Sequence, residues 1–142
     1  MLDRTPECFI IFIKVFIDKM HRILVVDDAL FMRRMISQIL EAHGYQICAY
    51  AASAKEAVEK YKEHNPDLVT MDIVMPMMEE LDGIGAVRQI VQYDPGAKIL
   101  ICSVIGQQSL VVEAIRAGAR EFVMKPVKQE RLIDAVARAL KT

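Results

Sequence analysis

The sequence predicts an α/β domain: a doubly wound, five-stranded parallel sheet with helices on both faces. Two observations carry this. From Arg22 onward, short continuous apolar runs alternate with amphipathic stretches, and continuous apolar runs suit strands buried on both faces. Each run is separated from the next by a helix-length segment, as a crossover between parallel strands requires. Right-handed crossovers then lay helices on both faces of the sheet.

The elements follow in order. Ile23 to Val26 is the first strand. Met32, Met35, Ile36, Ile39 and Leu40 form a helical stripe, and Gly44 ends it as a cap would. Tyr45 to Ala51 is the second strand. Ser53-Ala54-Lys55-Glu56 reads as a capping box. The helix it opens carries Ala57, Val58 and Tyr61 and stops before Pro66. Asp67 to Asp72 is the third strand. Ile84, Val87, Ile90 and Val91 make the next stripe, broken by Asp94-Pro95-Gly96. Lys98 to Ser103 is the fourth strand. Leu110, Val111, Ala114 and Ile115 mark a helix capped near Gly118. Glu121 to Met124 is the fifth strand, and Leu132, Ile133, Val136, Ala137 and Leu140 stripe the last helix.

A chain of 142 residues suits one domain. Hydrophobic residues at 54% and charged residues at 26% exclude a disordered chain. A net charge of −1 excludes a strongly basic nucleic-acid binder. Cys8, Cys48 and Cys102 lie far apart with no CxxC. That pattern argues against a disulfide framework and a zinc site, and for a reducing cytoplasm. Phe9 to Ile17 is apolar except for Lys14, too short for the ~20 residues of a membrane span. The domain reads as starting at Met20. Residues 1–19 are then either an upstream stretch or an added element docking on the domain or on a second subunit.

In doubly wound folds the chemistry sits beyond the carboxyl ends of the strands. There the sequence places Asp27 and Asp28, then Asp72, then Ser103, then Lys125. Close carboxylates repel unless a cation neutralises them, and the hard, oxygen-seeking ion that suits them is Mg²⁺. A carboxylate can also attack phosphorus to give an aspartyl phosphate, with Mg²⁺ and a lysine offsetting charge on the moving oxygens. Singly, Asp28 could cap a helix, Asp72 close a turn, Ser103 cap a helix, and Lys125 be a surface charge. Together at four strand ends they point to phosphoryl transfer. No glycine-rich phosphate loop supports nucleotide binding.

Four stretches resemble the receiver domains of two-component response regulators, of the stand-alone chemotaxis (CheY-like) type. They are Ile23-Leu24-Val25-Val26-Asp27-Asp28, Met71-Asp72-Ile73-Val74-Met75-Pro76, Cys102-Ser103 and Met124-Lys125-Pro126. The resemblance runs from Met20 to the C-terminus, giving a receiver domain over 20–142. It implies the flavodoxin-like strand order 2-1-3-4-5. It implies Asp72 as phosphoacceptor, and Mg²⁺ held by Asp27, Asp28, Asp72 and the backbone carbonyl of Val74. Lys125 would contact a phosphoryl oxygen, Ser103 would be the switch hydroxyl, and the Lys125-Pro126 bond would be cis. Phe122 falls at the family's switch aromatic, with an ordinary core residue as its plainer reading.

The chain departs from the family in places. Glu79-Glu80-Leu81 looks like three extra residues before Asp82-Gly83. Val74 and Ile105 stand where the family often has polar residues that help place the hydrolytic water. Val104 is bulkier than the residue usual beside the switch serine.

The chain ends at Thr142 directly after the last helix, so output is expected through binding another protein. The resemblance implies a histidine kinase as phosphodonor and an output partner on the helix 4–strand 5–helix 5 face. Residues Gln107 to Thr142 carry seven Lys or Arg against four Asp or Glu. That balance favours an acidic partner, or is simply a solvated surface. No nucleic acid and no membrane span are expected. The rival readings are a phosphohydrolase with an aspartate nucleophile, an interaction module that lost phosphorylation, and a receiver in a non-motility phosphorelay. The first would want Asp-x-Asp after the first strand; the second conflicts with the full set Asp27, Asp28, Asp72 and Lys125.

Overall fold

A computed structural model describes Ile10, residues 20–75 and residues 81–141. The strands are β1 (Arg22–Val26), β2 (Gln46–Ala51), β3 (Leu68–Asp72), β4 (Ile99–Ser103) and β5 (Glu121–Met124). Between and after them run α1 (Leu30–Ala42), α2 (Ala54–His64), α3 (Gly83–Tyr93), α4 (Gln108–Ala117) and α5 (Gln129–Lys141). The sheet is parallel, in the order β2-β1-β3-β4-β5. The expected fold class and strand order are both present.

Alternating strand residues divide the core in two, because successive side chains point to opposite faces. Leu24, Val69, Ile99 and Ile101 pack with α2, α3 and α4. Ile23, Val25, Leu68, Leu100 and Cys102 pack with α1 and α5. The central strands β1, β3 and β4 are buried almost throughout, which is why they read as unbroken apolar runs.

Local signals explain the helix ends. Gly44 has φ 88° one residue beyond the C-cap, His43. The Tyr45 amide donates to Leu40 O and the Gly44 amide to Glu41 O, each at 3.1 Å. This is a Schellman closure, which needs the left-handed conformation glycine tolerates. Ser53 Oγ accepts from the Glu56 amide at 3.2 Å, the serine half of the expected capping box. Asp94 turns the chain after α3: its Oδ1 accepts from the Gly96 amide and its Oδ2 from the buried Tyr61 hydroxyl at 2.6 Å.

Phe9–Ile17 lies outside the described residues apart from Ile10, which is helical and exposed. Of the three extra residues, Glu79 and Glu80 also lie outside them. Leu81 is half-buried against the core.

Candidate functional site

Asp27 follows β1, Asp72 ends β3, Ser103 ends β4 and Lys125 follows β5. Parallel pairing brings these ends to one edge. The row Val25, Thr70, Leu100 lies two residues below, on the face shared by α1 and α5. Asp27, Asp28 and Asp72 each offer a carboxylate oxygen within 4.8 Å of the others. Asp27 and Asp72 are buried and Asp28 is exposed. The convergence expected from the sequence is therefore present.

Lys125 Nζ lies 3.0 Å from Asp27 Oδ2 and 3.3 Å from Asp72 Oδ2. It bridges the two buried carboxylates. Burial works against the ammonium, but its contacts with Asp27 and Asp72 outweigh that and hold its pKa above the ordinary value. Burial also dominates at Asp72. It raises that carboxyl to about 6, with Asp27 adding to the rise, while Lys125 and the Val74 amide pull the other way. The Val74 amide donates to Asp72 Oδ1 at 3.2 Å.

Asp27 is pinned from several sides. Its amide donates to Ala51 O at 3.1 Å. Its Oδ1 accepts from the Ala29 amide at 2.9 Å, and its backbone carbonyl accepts from Arg33 Nη1 at 2.8 Å. Asp28 does not cap α1; Ala29 holds the N-cap position, with no side-chain hydrogen bond. Sequence reading missed Arg33 because an arginine on a helix, six residues past a motif, carries no signal of what it reaches.

The Ser103 hydroxyl is buried and has no hydrogen-bond partner among the described residues. A buried hydroxyl without a partner is costly, so this one is poised for an acceptor. The Lys125 amide donates to Ser103 O, and the Lys125-Pro126 bond is cis as expected. Cys102 sits opposite Asp72 in register. Its thiol is fully buried and pushed up to about 12 by that burial, which leaves it inert beside the site.

Phe122 is 47% exposed, so it is not ordinary core. It borders an apolar cavity of about 210 Å³ lined also by Ser103, Val104, Val111, Val112 and Met124. The cavity links the serine to the aromatic. Val74, two residues after Asp72, and Val104 and Ile105, directly after Ser103, are exposed.

The donor set fits Mg²⁺. It is all oxygen, anionic and convergent, and no histidine or thiolate stands within the group. Among the described residues no helix is long and apolar enough to cross a membrane.

Comparison with known proteins agrees with this geometry. Residues 23–137 match the response regulator receiver domain family. Chemotaxis protein CheY of Bacillus subtilis is 53% identical over 120 residues, 84% of this chain and 98% of that protein. The CheY of Thermotoga maritima is 49% identical over the same shares. Among solved structures, a Borrelia burgdorferi CheX-CheY-BeF3-Mg²⁺ complex superposes with a TM-score of 0.77 at 36% identity, covering 83% of this chain and 87% of the other. Sequence, sheet topology and site thus agree, and the chain belongs to the response regulator receiver domain family, in its CheY-like group.

Proposed function

We propose that this protein is a phosphoacceptor response regulator of a two-component system serving chemotaxis. It takes a phosphoryl group from a histidine kinase on Asp72. One observation carries the reading: the Asp72 carboxylate faces Lys125 Nζ at 3.3 Å within a three-aspartate cluster. An Asp72 oxygen attacks phosphorus; the P–O bond forms as the P–N bond of the phosphohistidine breaks, and the imidazole leaves with a proton. Asp27, Asp28, Asp72 and the Val74 carbonyl would hold Mg²⁺, which supplies charge stabilisation to the transferring oxygens. Lys125 binds a phosphoryl oxygen. The chain catalyses its own phosphorylation and dephosphorylation and no other reaction.

Switching follows from the cavity. The Ser103 hydroxyl turns toward the phosphoryl oxygens and gains its missing acceptor. Phe122 leaves solvent for the space between α4 and β5. That changes the α4–β5–α5 face, where the output partner binds. The B. subtilis and T. maritima relatives, both named chemotaxis proteins, support the motility assignment. The B. burgdorferi complex, with CheX on a CheY, supports protein binding as output or control.

Intact mass after incubation with acetyl phosphate tests the reading. A gain of one phosphoryl group that needs Mg²⁺ and is absent in Asp72→Asn supports it. No gain, or a gain that persists in the mutant, overturns it. The lifetime of the phosphorylated form is a further expectation. Val74 and Ile105 are 50% and 78% exposed and offer no polar group to a water. Loss of the phosphoryl group without a partner should therefore be slow, and Val74→Asn should shorten its half-life severalfold. A rapid wild-type decay would contradict this.

A further inference from the structure

Among the anchors of Asp27, Arg33 alone grips the backbone carbonyl, and that carbonyl belongs to the peptide leading to Asp28. A peptide unit is planar, so fixing its C=O fixes the plane from which Asp28 projects. The other bonds at this turn hold the Asp27 amide and carboxylate, through Ala51 O and the Ala29 amide, and leave its carbonyl to Arg33. Ala29 brings no side-chain cap, and Leu30 and Phe31 are 51% and 74% exposed. Arg33 itself is well held. Its amide donates to Ala29 O at 3.1 Å, and its carbonyl accepts from the buried Ser37 hydroxyl. A charge-assisted donor at 2.8 Å is a strong constraint.

We propose that Arg33 is a positioning residue for the cation: it locks the Asp27–Asp28 peptide so that both carboxylates face one point. This rests on the reading of Asp27 and Asp28 as Mg²⁺ ligands. Arg33 acts through geometry and not through its field, since a positive charge beside a cation site repels the ion and would by itself weaken binding. Outer partners of metal ligands commonly govern metal affinity by about 10–100-fold.

The experiment is calorimetric titration with MgCl₂ alone, since the chain has no Trp to report occupancy. Arg33→Met should weaken Mg²⁺ binding by about tenfold or more, and Arg33→Gln, with its shorter donor, by less. Arg34→Met loses the same charge from an exposed neighbour on α1 and should bind as wild type. With acetyl phosphate, half-saturating Mg²⁺ should rise in step for Arg33→Met while the rate at saturating Mg²⁺ stays within about twofold. Wild-type affinity in Arg33→Met overturns the proposal. So does equal weakening in Arg34→Met, or a fallen maximal rate with unchanged affinity. If circular dichroism finds Arg33→Met unfolded, the comparison of Arg33→Gln with Arg34→Met decides in the same way. Asp28→Asn separates the two levels. Undiminished Mg²⁺ binding there overturns the ligand reading itself; weakened binding there with Arg33→Met unchanged overturns only the role of Arg33.

Discussion

Asp72→Asn should stabilise the metal-free protein while abolishing phosphorylation. Folding buries the Asp72 carboxyl and lifts its pKa from near 3.8 to about 6. The folded state therefore binds the proton more tightly than the unfolded chain does. The stabilisation this gives is complete below pH 3.8 and is lost as pH rises through about 6. At neutral pH the ionised carboxylate costs the fold on the order of 1–3 kcal/mol by linkage once solvent screening is allowed for, which an amide would recover in part. Some of the gain is offset, because the amide gives Lys125 a weaker partner. The midpoint of thermal unfolding in EDTA at pH 8 should rise by about 5 °C or more. Near pH 5 the difference should shrink, because wild type is then largely protonated. Added Mg²⁺ should stabilise wild type and narrow the gap from the other side. Circular dichroism melts at the two pH values, with and without Mg²⁺, check all of this. A mutant less stable than wild type at pH 8 would mean that the Lys125 contact outweighs the burial cost.

Gly83→Ala should destabilise the fold strongly for a single added methyl group. A Cβ there would lie 2.3 Å from Ile73 O, 3.0 Å from Ile73 C and 3.1 Å from Asp72 O. All three are backbone atoms, so no rotamer change relieves the clash. The start of α3 must back away from the segment that follows β3. Overpacking costs about 1–3 kcal/mol, and fixed backbone atoms put this site at the upper end. The same segment carries Asp72 and the Val74 amide that pins it, so the site moves with the fold. Gly83→Ala should lower the denaturant midpoint sharply and slow phosphorylation at saturating Mg²⁺. Gly85→Ala is the contrast: its Cβ would meet the Leu81 side chain at 2.7 Å, which can swing aside. Equal stability of the two variants in urea would refute the argument.

The sheet was legible because burial on both faces leaves an unbroken apolar run, and β1, β3 and β4 are of that kind. Edge strand β2 was found, but not its irregularity. The register slips between Ile23 and Leu24, so that Ile47 and Ala49 are the partners and Cys48 is unpaired. Nothing in the composition of Gln46–Ala51 encodes that slip. The acidic site was legible because strand ends in such a fold share an edge and few residue types suit that chemistry. Its supports were not. Arg33 reaching Asp27 O, or Gln107 Oε1 accepting from the Val104 amide at 3.0 Å, depend on three-dimensional reach. Phe122 shows the limit from the other side. Its place on a strand suited core or switch equally, and its exposure beside a cavity speaks only against the core.

The bridge from Lys125 to Asp27 spans 98 positions of the chain. During synthesis β1 and β3, whose carboxyl ends carry Asp27 and Asp72, are made before the strand that leads to Lys125. A nascent chain that has paired β1 with β3 but not yet docked β5 holds two carboxylates together with no lysine between them. Carboxylates held that close repel until a cation lies between them, and in the finished fold Lys125 is that cation. Lys125 thus ties together, by its charge, the ends of strands that never pair with its own.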